Sequence, residues 1–141
     1  MKFRLLILIL TSILSGCATT EVSTEFNQGT VVQNRQPLGA INAENYGYYL
    51  FGILPIVSGA PDEPNEVSLT FFEDTVTIEN NQKMLNLEVE KLGTDTLTDV
   101  RHHTSWTGSF SFWIIWRQVL SSNALALKNI ELPSQKTDSS K

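Results

Sequence analysis

Cys17 is the only cysteine of the 141-residue chain, and it closes an opening segment of a distinctive kind. Lys2 and Arg4 come first, then the apolar run Leu5-Leu6-Ile7-Leu8-Ile9-Leu10, then Leu14-Ser15-Gly16 directly before the cysteine. A stable bilayer span needs about 20 apolar residues, and this run is too short. A positive start, a short apolar core and small residues at the exit describe a cleavable secretory signal instead. The folded unit must therefore come from the chain beyond Cys17. With one thiol it has no intramolecular disulfide and no cysteine-based zinc site to draw on.

Leu14-Ser15-Gly16-Cys17 resembles the lipobox of bacterial lipoprotein signals. The resemblance implies transfer of a diacylglyceryl group to the Cys17 sulfur and cleavage between Gly16 and Cys17. The small Ser15 and Gly16 suit an extended chain in a narrow protease site. Each buried acyl methylene contributes about 0.8 kcal/mol, so two or three chains hold a protein to a membrane. Ala18 comes next, where the sorting rule of enteric-type bacteria reads any residue but Asp as an outer-membrane address. A lipid-anchored protein of the bacterial cell envelope, at the outer membrane, is the expectation.

Hydrophobic residues make up 41% of the chain and charged ones 18%, a globular composition of single-domain length. The formal charge of −5 becomes two units more negative once Lys2 and Arg4 leave with the signal. An acidic body without a basic patch is repelled by phosphate backbones, so nucleic acid is not an expected partner. The chain divides into four regions: the signal (1–16), the lipidated end and a polar, flexible tether (17–36), a folded domain (37–128), and a polar, disordered tail (129–141).

Within the domain, residues 46–56 (YGYYLFGILPI) read as one buried strand that ends near Pro55. Residues 58–65 form a loop by their Gly and Pro punctuation, and residues 66–72 (EVSLTFF) have strand character. Ile78, Leu85, Val89 and Leu92, flanked by Met84, recur at helical spacing and predict a helix over 77–92. Thr77 suits its N-cap, Glu79 its first turn, and Gly93 the left-handed position beyond its end. Leu87 breaks the stripe. Residues 96–106 read as a strand with a bulge, because Leu97 and Val100 have opposite parity. One straight strand over 110–127 would be about 60 Å long, so a bend is expected near Arg117 before a last strand over 119–127. The order strand, helix, strand, strand predicts a small α+β domain, one helix on a mostly antiparallel sheet.

Residues 48–128 resemble the TRL-like group of small bacterial lipoproteins, and more remotely the Bor lipoproteins. The resemblance is carried by Tyr49-Leu50-Phe51-Gly52-Ile53-Leu54-Pro55, by Lys91-Leu92-Gly93-Thr94-Asp95-Thr96-Leu97-Thr98-Asp99-Val100, and by Ser122-Asn123-Ala124. Thr94 stands where that group usually has a smaller residue. The resemblance implies a lipid-anchored envelope protein and brings no catalytic residues with it.

Candidate chemistry is sparse. His102 and His103 are neighbours on a strand, so their side chains point to opposite faces and regular geometry does not let them share a metal. Asp99, Arg101 and His103 share one face by alternation. Glu73, Asp74, Asp95 and Asp99 could supply an acid pair, yet turns and polar faces are ordinary places for carboxylates. A hydrolase would need such a pair, or a Ser–His contact, in a cleft; no Gly-x-Ser-x-Gly elbow and no phosphate-cradling Gly-rich loop occur. The aromatic run Trp106, Phe110, Phe112, Trp113 and Trp116 is the candidate interaction surface, for core packing, protein association or membrane contact. These readings predict a non-enzymatic lipoprotein without cofactor or metal. It would act through an envelope protein partner or its own copies, with a ligand- or metal-binding domain as the alternative.

Overall fold

A computed structural model describes residues 18–24, 35–66, 68–94, 96–109 and 114–129. Six antiparallel strands form one sheet with a single helix among the described residues: β1 (Ala18–Ser23), β2 (Arg35–Leu50), β3 (Leu54–Gly59), β4 (Leu69–Phe71), α1 (Ile78–Lys91), β5 (Thr96–Ser109) and β6 (Ile115–Asn129). The sheet order is β4-β3-β2-β6-β5. β2 is the organising strand. β6 pairs along its whole length on one side, while β1 and β3 share its other side end to end, β1 opposite 40–45 and β3 opposite 47–50.

The expected helix on an antiparallel sheet is present, but four strands precede the helix and the domain is mostly sheet. Thr77 caps α1 by accepting from the Asn80 N–H, and Gly93 takes φ +73° just past its end. Met84, Leu85 and Val89 bury the inner face of α1 on Ile41, Ala43, Ala124 and Ala126. Ile78, expected on that face, is instead exposed. It opens the first turn of the helix.

The residues under the helix are mostly small. Successive inward positions of β2 are Gly39, Ile41, Ala43, Asn45, Gly47 and Tyr49, all buried. A Cβ at Gly47 would stand 3.0 Å from that of Ser58, so glycine is what permits β2, β3 and Val76 to close together. Asn81 joins the layers. Its Nδ2 donates to the Ala43 carbonyl (3.1 Å), the Leu120 carbonyl (2.8 Å) and Ser122 Oγ (3.0 Å).

Four expectations are corrected. Ala18–Ser23, read as the start of a flexible tether, is strand β1 with Ala18 1% exposed. Its polar composition hides an alternation in which Ala18 and Thr20 face inward. β2 likewise begins at Arg35, so the domain includes residues on both sides of 25–34. The single strand over 46–56 is two, separated by a turn in which the Ile53 N–H donates to the Leu50 carbonyl (3.1 Å). No bend falls at Arg117: β6 runs unbroken through it, held on both sides by β2 and β5. The bulge in β5 is present, between Thr98 and Arg101.

Candidate functional site

Gly16 and Cys17, the expected cleavage and lipidation residues, lie outside the described residues, as do the rest of 1–16, Asp95, Phe110, Phe112, Trp113 and the tail from 130. What the structure does place is the chain leaving Cys17. Ala18 is buried at the centre of the β2 edge, opposite Asn45. Asn65, from the loop after β3, clasps this segment three times. Its backbone N–H donates to the Ala18 carbonyl (2.8 Å), its Oδ1 accepts from the Thr20 N–H (2.9 Å), and its Nδ2 donates to Thr20 Oγ1 (2.9 Å).

Thr20 in turn donates to Glu88 Oε1 (2.8 Å), which also accepts from Lys91 Nζ (2.7 Å). Burial alone would push the Glu88 carboxyl up. The hydrogen bonds from Lys91 and Thr20, together with the Lys91 charge, outweigh it and hold the group below the ordinary value of 4.5. Glu88 therefore stays ionised on the buried side of α1 and ties helix to N-terminal strand. No sequence pattern announced this contact, because its partners lie 68 positions apart.

Of the aromatic run, Trp106 and Trp116 are described. Register puts both on the α1 side of the sheet, Trp106 on β5 opposite Gln118 and Trp116 on β6 opposite Tyr49. They lie past the end of the helix. The Trp106 ring is tilted against Tyr49 with centroids 5.5 Å apart, and Gly52 lies over the Trp116 indole. Trp106 is 47% exposed. Tyr49 is buried and donates to Asp74 Oδ1 (2.7 Å); burial first, then the bond to Asp74 and its negative charge, push the phenol far above its ordinary 10.0.

His102 and His103 do face opposite sides. His102 Nδ1 lies 2.8 Å from Ser122 Oγ, a Ser–His contact. Ser122 is 0% exposed beneath α1 and accepts from Asn81, so its hydroxyl is a structural link and offers no approach to a substrate. Asp74 is engaged by Tyr49 and the Val76 N–H, and Asp99 by Arg101 (2.9 Å). On the face away from α1, an open depression is lined by Glu21, Asn42, Asp99, Arg101 and Asn123. Among the described residues no three His, Cys, Asp or Glu side chains are grouped to hold a metal.

β5 forms an outer edge of the sheet, and its residues from Asp99 to Gly108 are all exposed. Its bulge at 98–101, with Asp99 at φ +54°, and the Asp99–Arg101 ion pair interrupt that edge. Set against protein-family models, curated proteins and solved structures, the chain matches none.

Proposed function

We propose that the chain is a lipoprotein of the bacterial cell envelope, anchored through acylated Cys17, whose domain acts by contact with other proteins or with its own copies. The lipobox supplies the anchor, and the outer membrane is the address that Ala18 favours. The resemblance to TRL-like lipoproteins belongs to this reading. The observation that supports it is at Ala18: the residue that follows the lipobox-like Leu14-Ser15-Gly16-Cys17 in sequence already opens strand β1 of the sheet. A signal that is cut before Cys17 leaves every residue of the domain in place.

The surface that supports a binding role is the long exposed edge of β5. An unpaired edge is a template for strand addition, in which backbone hydrogen bonds supply affinity and alternate side chains supply selectivity. Growth with labelled palmitate tests the anchor: label on the wild-type chain and none on Cys17→Ser is expected, and an unlabelled wild-type chain overturns it. Trp113→Asp and Thr104→Pro, the latter at a β5 position whose N–H points away from β6, test the contact. Each is expected to reduce pull-down of partners or oligomer size while the far-ultraviolet spectrum is kept. Unchanged assembly in both counts against it.

A further inference from the structure

One end of the sheet is built without charge. Residues 46–56, 68–72, 107–109 and 114–116 contain no Asp, Glu, Lys or Arg, and among the described residues these separate stretches meet at the same end. The turn at 51–53 joins β2 to β3, and the Phe51 N–H donates to the Ile114 carbonyl (2.6 Å), fastening the turn to the start of β6. On its other side, β4 ends beside β3, where the Phe72 N–H donates to the Ile56 carbonyl (3.2 Å). The side chains on this end face outward: Phe51 is 60% exposed, Ile53 78%, Leu54 58%, Phe71 60% and Phe72 82%, with Ile114 beside them. Charge returns just behind it, at Glu73, Asp74 and Arg117.

The backbone here is also held at a cost. Phe51 (φ +54°) and Phe72 (φ +59°) lie in the left-handed region, where a bulky side chain is disfavoured by about 1–2 kcal/mol. Phe51 and Gly52 are consecutive left-handed residues, as in a type I′ turn, for which Asn-Gly is the unstrained choice. Strain at two phenylalanines, both exposed and on the same tip, is not explained by packing, because neither is buried. It is the kind of outlier that accompanies a functional surface.

The geometry points to a bilayer as the occupant of this tip: Phe51, Ile53, Leu54, Phe71 and Phe72 enter the headgroup and acyl boundary of the membrane to which Cys17 is attached. This rests on the lipoprotein reading. Ala18 is opposite Asn45, so the anchor departs six residues from Phe51 along β2, about 20 Å at strand spacing. No slack separates the two, since Ala18 is buried and clasped by Asn65. Ala18, the residue next to the anchor in sequence, and the turn of the tip lie along the same side of β2, the one lined by β1 and β3. Both reach one bilayer when β2 lies inclined towards the membrane plane with that edge down. Exposed aromatic and branched side chains free of charge suit the interfacial zone, and an uncharged tip makes no demand on lipid charge. The upper edge, β5, is then left free for proteins.

The single cysteine provides the test. Full-length chain, acylated in a bacterial host, is placed in phosphatidylcholine vesicles after Ile53→Cys, Phe72→Cys or, as the control, Asn86→Cys on the exposed side of α1. Acylation consumes the Cys17 sulfur, so a polarity-sensitive fluorophore attaches at the new position alone. Labels at 53 and 72 are expected to be quenched by bromine-bearing lipid chains at least about twofold more than the label at 86. Acylated protein with equal, weak quenching at all three positions overturns the proposal. So does shielding at 53 and 72 that follows protein density without lipid quenching, which assigns the tip to a second copy. A mass spectrum with no acyl increment and two labelled thiols sinks the anchor itself, and the tip's membrane role with it.

Discussion

Thr20 donates its hydroxyl proton to Glu88 across 2.8 Å, so the strand that begins just past the expected lipidation residue is fastened to the helix through a buried carboxylate. The Glu88 carboxyl is held below its ordinary value in the fold. Its contribution to stability is therefore complete above pH 4.5 and is lost as pH falls through the lowered value. Thr20→Val keeps the shape and removes the donor, at a cost of about 1–2 kcal/mol near neutrality. Urea unfolding of wild type and variant at pH 7 and below pH 4 checks this. The difference between them is expected to narrow at the acid end, where the carboxylate no longer needs a donor.

Tyr49 gives the opposite sign. Its phenol is raised, so the neutral form is favoured by the fold and stability declines as pH climbs past 10.0, the ordinary value. Alkaline spectrophotometric titration is expected to show one of the chain's three tyrosines ionising only as the protein unfolds. In Tyr49→Phe that late component disappears and unfolding free energy drops by about 1 kcal/mol.

Asn81 is the polar pin of the interior. Asn81→Asp would set a carboxylate against the carbonyl oxygens of Ala43 and Leu120, which now receive its amide protons. An uncompensated buried charge costs about 3–5 kcal/mol, enough to unfold a domain of this size at moderate temperature. Asn86→Asp, on the exposed side of the same helix, is expected to change the melting temperature very little. Equal effects in a thermal melt would contradict the assigned role.

Phe51→Asn should stabilise the fold by about 1 kcal/mol, because asparagine tolerates the left-handed turn that phenylalanine resists. The same variant should bind vesicles less well. A tip residue that raises the melting temperature when replaced, while membrane contact falls, separates the two roles in one pair of measurements.

The parts of the fold legible in the sequence were those where a local rule sufficed. α1 announced itself through periodic Leu85, Val89 and Leu92 with Met84 beside them, although Ile78 of the same stripe is exposed, and through the Thr77 cap and Gly93; the β5 bulge did so through the parity of Leu97 and Val100. β1 and the first half of β2 were silent. Their buried positions are Ala18, Thr20, Gly39, Ile41, Ala43 and Asn45, and all but Ile41 are small or polar residues set by close packing against α1, so one large apolar side chain is not enough to mark an alternation. The turn at 51–53 was masked for a related reason. A tip made of Phe51 and Ile53 looks apolar, and turns are ordinarily recognised by polar residues. The aromatic run did signal that end of the sheet through Trp116. The exposed apolar residues of 51–54 and 71–72 come from other segments, and only topology gathers them.

The shared side of β2 has a practical corollary for anyone trimming this protein. A soluble version begun after residue 24, the usual choice when a polar leader is taken for a linker, would strip β2 of its neighbour at six consecutive positions, from Ala40 to Asn45. It would open a strand-sized slot flanked by β3, ready to be filled by the corresponding segment of another molecule. Exchange of β1 between copies, and aggregation where exchange fails, is the behaviour to expect of such a truncation. The first six residues after the cysteine are the keystone of the sheet, and shortening the leader means removing it.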